Sequence, residues 1–172
     1  MPGSQLPKKR ADSVGLFRPS PGRIDSAPAH GQEVPTPARS ARWNQSTQSG
    51  FEDNVLTLVN VVRKRAGLPR LSCDERLRVA ARNHSRDMAA RAFCAHVNPD
   101  GVTPAERMSA AGHPSPGGEN VAQGQSNPHA VMTAWMDSPP HRANILNAEF
   151  KTLGVGVELG GAGPYWTQNF GY

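Results

Sequence analysis

Gly154-Val155-Gly156-Val157-Glu158-Leu159-Gly160-Gly161-Ala162-Gly163-Pro164-Tyr165-Trp166-Thr167-Gln168-Asn169-Phe170 is the stretch on which the fold turns. Val155, Val157 and Leu159 alternate with Gly154, Gly156 and Glu158, the period-two pattern of a strand with one apolar face. Gly160 to Pro164 is turn material, and the chain returns through the aromatic run Tyr165 to Phe170. The reading is a β-hairpin, or two adjacent antiparallel strands. Gly118-Glu119-Asn120-Val121-Ala122 is a shorter candidate for a third strand.

Upstream the period changes from two to 3.6. From Asp53, Val55, Leu58, Val59 and Val62 form one helical stripe, Arg63-Lys64-Arg65 supply a basic last turn, and Gly67 and Pro69 stop it. Ser72 and Glu75 have capping-box spacing ahead of a second helix, in which Leu77, Ala80, Ala81, His84 and Met88 recur up to Phe93. Thr103-Pro104-Ala105-Glu106 opens a third, short helix that Gly112 closes. Asn127-Pro128 starts a fourth, broken near Ser138-Pro139, after which come His141, Ile145 and Leu146. Three to four helices around a small antiparallel sheet make an α+β layered domain.

The remainder of the chain is of another composition. Seven of the 16 prolines fall in residues 1–50, which also hold seven Lys/Arg against three Asp/Glu, so most of the net charge of +5 belongs there. Residues 1–50 are expected to be an unstructured, Pro-rich basic tail or leader, and residues 51–172 the domain. With charge nearly balanced on the domain, no nucleic-acid partner is expected. No run approaches the roughly 18 apolar residues of a membrane span, the nearest being Val55 to Val62. Val14-Gly15-Leu16-Phe17 is too short for a signal-peptide core, so none is recognisable. The two cysteines, Cys73 and Cys94, flank the second helix. Eighteen helical residues span about 27 Å, far beyond the roughly 7 Å that a disulfide bridges, so two separate thiols are expected.

No phosphate loop, nucleophile elbow, His-Glu-x-x-His or paired CxxC is present, which leaves the histidines. His84 lies on the apolar stripe, where a packed ring is expected. His113, in a Gly-His-Pro loop, and His129 are expected at the surface. His96 follows a helix end and His141 follows the Ser138-Pro139 break, positions from which side chains reach a cleft. With Glu119 between them, the trio has the chemistry either to bind zinc with an open fourth position or to act as a general acid/base group.

These segments, in this order, resemble the CAP superfamily, also called SCP-like, which groups cysteine-rich secretory proteins, venom allergens and pathogenesis-related proteins. The matching stretches are Val59-Asn60 to Gly67-Leu68-Pro69, His84-Ser85-Arg86-Asp87-Met88, Phe93-Cys94-Ala95-His96, Gly118 to Ala122, Trp135 to Leu146, Gly154 to Val157 and Tyr165 to Phe170. The block Ser138 to Leu146 is similar to that of bacterial members. The resemblance implies an α-β-α sandwich with a cavity lined by two histidines and two acids that sometimes hold a divalent metal. His96, Glu119 and His141 match three of these, and Ser138 stands where the second acid falls in eukaryotic members. The resemblance thus implies a His96, Glu119, His141 zinc site with Ser138 at the cleft. Members of the family are mostly secreted and have been linked to sterol or lipid binding, extracellular recognition and occasionally proteolysis, among which the resemblance does not choose. With the second acid missing, the expected reading is a monomeric, non-catalytic binding module for a small lipid or sterol, or for an extracellular partner. The alternative is a metal-dependent, peptidase-like hydrolase in which Glu119 and His141 are catalytic.

Overall fold

A computed structural model describes residues 37–172, with side chains from Thr47 onward. Its elements are α1 (Pro37–Arg65), β1 (Ser72–Cys73), α2 (Glu75–Arg91), α3 (Pro104–Ala110), β2 (Pro116–Gln123), α4 (Pro128–Asp137), α5 (Pro139–Ile145), β3 (Thr152–Glu158) and β4 (Tyr165–Gly171). The strands form one sheet in the order β1-β3-β4-β2. β3 and β4 pair antiparallel, Val157 opposite Trp166 and Leu153 opposite Phe170, as the alternation predicts. β2 joins antiparallel to β4, Glu119 opposite Asn169, and is an edge strand.

The glycine alternation assigns a different partner to each face. Leu153, Val155, Val157, Trp166 and Phe170 enter an apolar core with Val55 and Val59 of α1, Val131 and Trp135 of α4 and Ile145 of α5. On the reverse face α2 lies directly against the sheet. A Cβ on Gly154 would fall on the backbone of Leu77 and Arg78, and one on Gly156 on that of Ala81 and Arg82, well inside van der Waals contact. Only glycine admits the helix this closely, and the α-β-α sandwich depends on it.

Several expected boundaries shift. α1 begins at Pro37, so residues 37–50, assigned above to the tail, are helical. The apolar stripe starts only at Val55, but Pro37 is a normal first helical residue. The expectation for residues 1–36 falls outside the described residues. The cap of α2 is Asp74, whose carboxylate accepts from Arg76 N and Leu77 N. Ser72 instead pairs in β1 with Thr152, parallel to β3. Among the described residues there are five helices, because the break at Ser138 is complete. α3 carries the full Thr103/Glu106 capping box behind Pro104. Cys73 and Cys94 are separate, exposed thiols.

α1 is fastened at its end by Arg63, fully buried without a carboxylate. Its Nε donates to Pro69 O at 2.8 Å, Nη1 to Ile145 O at 2.9 Å and Asn147 O at 2.7 Å, and Nη2 to Phe150 O at 3.4 Å. Burial pulls its pKa below the usual arginine value. Asn60 similarly exchanges two bonds with the Leu71 backbone.

Candidate functional site

Glu119 lies on the α2 face of β2, where its side chain is 1% exposed. A buried carboxylate is costly unless cations and donors surround it, and here both oxygens are engaged. Oε1 accepts from His96 Nδ1 at 2.9 Å. Oε2 accepts from Arg107 Nη2 at 2.7 Å. With its amide oriented to satisfy both ends, Asn169 donates to the same oxygen at 3.1 Å and accepts from Ala81 N at 3.1 Å.

His96 arrives from the loop after α2, which begins where Ala92 takes a left-handed conformation, φ 53°. The ring is half exposed. As the carboxylate is an acceptor, Nδ1 carries a proton, and Nε2 is the outward nitrogen. The bond to Glu119 raises the His96 pKa, with burial and Arg107 opposing. Arg107, on α3, also donates from Nη2 to His96 O at 2.8 Å and from Nη1 to Val102 O at 2.9 Å, tying the loop to the edge strand.

His141 comes from α5, behind the other face of β2. The Asn120 side chain, pointing opposite to Glu119, donates to the His141 carbonyl at 3.1 Å and to Gln168 Oε1 at 3.0 Å. Asn144 Nδ2 bonds Glu119 O at 3.1 Å and Asn120 Oδ1 at 2.9 Å. Burial lowers the His141 pKa, and the charge on His96 lowers it further. Among the described residues no hydrogen bond joins the His141 ring to His96, Glu119 or Ser138. Ser138 occupies the cap position of α5, but its side chain makes no capping bond.

The structure therefore joins His96 directly to Glu119, and His141 feels the charge of His96 alone, while among the described residues Ser138 is linked to none of them. Among the described residues no group of three or more His, Cys, Asp and Glu is arranged to hold a metal ion. The donor chemistry agrees: a metal on Glu119 would compete with a permanent guanidinium at 2.7 Å. The His96, Glu119, His141 ligand set implied by the resemblance does not fit this arrangement.

Sequence reasoning missed two participants. Arg107 lies in the short third helix and has no role in the sequence reading, although a buried strand glutamate calls for a cation, which is the signal that could have found it. Asn169 is visible only through its register with Glu119. Of the remaining histidines, His84 is buried as expected, its Nε2 bonding Ala95 O at 2.9 Å, while its Nδ1 has no partner. Glu119 and Arg107 both act electrostatically on His84. His113, expected at the surface, is buried; its Nδ1 accepts from Ser115 N at 3.3 Å and its Nε2 lies 3.3 Å from Thr152 Oγ1. The tight turn after Gly112, φ 88°, folds it under the sheet end. His129 is exposed.

Grooves flank the site. One of about 280 Å³ is lined by Val79, Ala80, Asn83, Ala110, Ala111 and Arg107. Another of about 310 Å³ lies beside the α4–α5 break, among Met136, Pro139, Ala143 and Leu146. A larger cavity of about 430 Å³ is remote from the histidines, between Arg82, Arg86, Gln48 and Glu158. No helix among the described residues is long and apolar enough to cross a membrane.

The model of the Cysteine-rich secretory protein family, CAP, matches residues 56–170. The Bacillus subtilis (strain 168) protein YkwD is 39% identical over 141 residues, which cover 78% of this chain and 54% of YkwD. The membrane protein YlbC of the same organism is 32% identical over 138 residues, 79% of this chain and 38% of YlbC. The chain thus spans about half or less of the length of these relatives. The crystal structure of an extracellular protein containing a SCP domain from Bacillus anthracis str. Ames superposes with a TM-score of 0.69 at 31% identity, covering 85% of this chain and 45% of that one. Having the layers, the sheet order, the Gly118-Glu119-Asn120 edge strand and a family match over most of its described residues, the chain belongs to the cysteine-rich secretory protein (CAP) family.

Proposed function

We propose that this CAP domain is a non-catalytic binding module whose cleft, at the edge strand β2, receives a small lipid-like ligand or an extracellular partner segment between His96 and His141. The observation that carries the reading is the commitment of Glu119. A general base needs a free lone pair directed at the substrate or its water, whereas both Glu119 oxygens are already held by His96, Arg107 and Asn169. Glu119 orients an imidazole, and the imidazole presents Nε2 outward. The predominantly apolar groove beside Arg107 offers surface for the body of such a ligand. The extracellular setting is proposed by analogy with the Bacillus anthracis relative.

Hydrolysis retains one route, in which His96 Nε2 rather than Glu119 acts as base, as in other carboxylate-oriented imidazoles. Among the described residues Ser138 makes no side-chain capping bond and no hydrogen bond to either histidine, so that route would use water as the nucleophile. The test is a panel of ester and peptide substrates on wild type, His96→Ala and His141→Ala, run beside histidine-detected NMR with a fatty acid and a sterol. No turnover, with ligand-dependent shifts at His96 and His141, is the expected result. Turnover that either substitution abolishes would overturn the binding-module reading.

A further inference from the structure

The family implies a metal at this cleft, and the surroundings of Glu119 disagree. We infer that Arg107 decides what the cleft can hold: it is a built-in cation that stands in a metal's place on Glu119, keeps that carboxylate as the orienting partner of His96, and denies it to divalent ions. The inference takes the cleft as a binding site, as above, but not any particular ligand.

Three observations lead to it. The guanidinium is fixed from three directions, by Val102 O, His96 O and Glu119 Oε2, at 2.7 to 2.9 Å. Its helix is short but rigidly started, with Thr103 and Glu106 closing a capping box. The ion pair is also sheltered, Arg107 being 11% and Glu119 1% exposed, so water screens the guanidinium weakly from anything that approaches the carboxylate. A dication seeking Oε2 must expel Arg107 from its bonds. One seeking Oε1 must displace the proton that His96 Nδ1 donates, and still faces the guanidinium across the carboxylate. Without Arg107 the same carboxylate would lie beside the His96 imidazole with no competing cation, leaving two donors around which a dication could complete its coordination with water. The charge of one side chain thus keeps a dication off Glu119.

The experiment is calorimetric titration of zinc chloride into the full 172-residue chain at neutral pH, for wild type, Glu119→Gln, Arg107→Met and the double variant. Wild type and Glu119→Gln are expected to bind zinc equally weakly, since Glu119 is no ligand. Arg107→Met is expected to bind one equivalent at least about tenfold more tightly, the scale on which a metal site's immediate partners act, and the double variant to lose that gain. One tight equivalent in wild type that Glu119→Gln weakens would overturn the inference, as would a folded Arg107→Met with no gain. Should Arg107→Met not fold, the wild-type chain alone decides. Its His96 Nδ1 proton resonance is expected to persist when zinc is added, and its loss would make Glu119 and His96 ligands. Turnover or lipid binding tests the reading of the cleft, whereas zinc affinity tests Arg107 whichever way that reading falls.

Discussion

The two faces of the sheet are built by opposite means. Toward α1, α4 and α5 it presents bulk: Leu153, Val155, Val157, Trp166 and Phe170, with Phe51 stacked on Trp166 and Phe150 on Phe170. Toward α2 it presents almost none, and the helix backbone approaches the strands over Gly154 and Gly156. Closeness there lets polar side chains find partners. Ser85 Oγ donates to Gly156 O at 3.0 Å and lies 2.9 Å from Thr167 Oγ1, and Asn169 links Ala81 to Glu119. The apolar face supplies cohesion, and the glycine face supplies the dry polar setting in which a buried carboxylate can be oriented.

The strongest way to break this division is to add one methyl group. Gly156→Ala is expected to cost about 3 kcal/mol or more, because its clash is with main chain that has no rotamer to yield. Leu153→Ala, which removes atoms from the opposite face, is expected to cost about 2–5 kcal/mol through cavity formation. Urea denaturation of both variants tests whether adding to one face equals subtracting from the other. A loss of about 3 kcal/mol, the low end for a broken buried pair because the amide keeps a hydrogen-bond acceptor, is expected from Glu119→Gln, which leaves the sheltered Arg107 without its counter-charge. The same variant should lower the His96 pKa, because the Glu119 bond is the main cause of its elevation.

Much of this division was legible in the sequence. The Gly/Val alternation, the Thr103-Pro104-Glu106 start and the Ser138-Pro139 break are local devices, whose consequences fall within a few residues, and each appears where the pattern puts it. The parts that were not legible depend on distant chain. β1 is two residues long and exists because β3 runs beside it. Asp74 outcompetes Ser72 as cap because pairing places Ser72 in the sheet. The first turns of α1 are too polar, from Asn44 to Gly50, to show an apolar stripe. His113 is buried by a turn whose packing partner, Thr152, comes 39 residues later. For the site, His96, Glu119 and His141 are named by the family resemblance more than by position, and which of them touch is not legible in either, because Arg107 and Asn169 enter only through the fold.

Two smaller effects sharpen the contrast at the ends of α2. Asp74→Ala should cost about 1 kcal/mol, the usual worth of a helix cap. The bond with Arg76 and the capping amides hold the Asp74 pKa at about 2, against 3.8 as the ordinary value. Its contribution is therefore present above the ordinary value and is lost as pH falls through about 2, so wild type and Asp74→Ala should converge in acid. The smallest effect belongs to the histidines. His96 is raised and its stabilising contribution, full below the ordinary imidazole pKa, fades as pH rises through its folded value. His141 is lowered, so its contribution is present above the ordinary value and is lost as pH falls toward its folded value. The two oppose each other in stability, but an NMR titration should show them departing in opposite directions from about 6.5. Glu119→Gln should narrow the gap from the His96 side.

Arg63 stands apart from all of these titrating groups. Each of its bonds ends on a main-chain carbonyl, at Pro69, Ile145, Asn147 and Phe150. No carboxylate takes part, so acid has nothing there to protonate and added salt has no ion pair to loosen. The joint between α1 and the 145–150 segment is insulated from the medium, whereas the joint between α3 and the edge strand, sheltered at Arg107 and Glu119, includes the half-exposed, titrating ring of His96. One molecule thus contains a seam of fixed strength and a seam of adjustable strength, and the adjustable one borders the cleft.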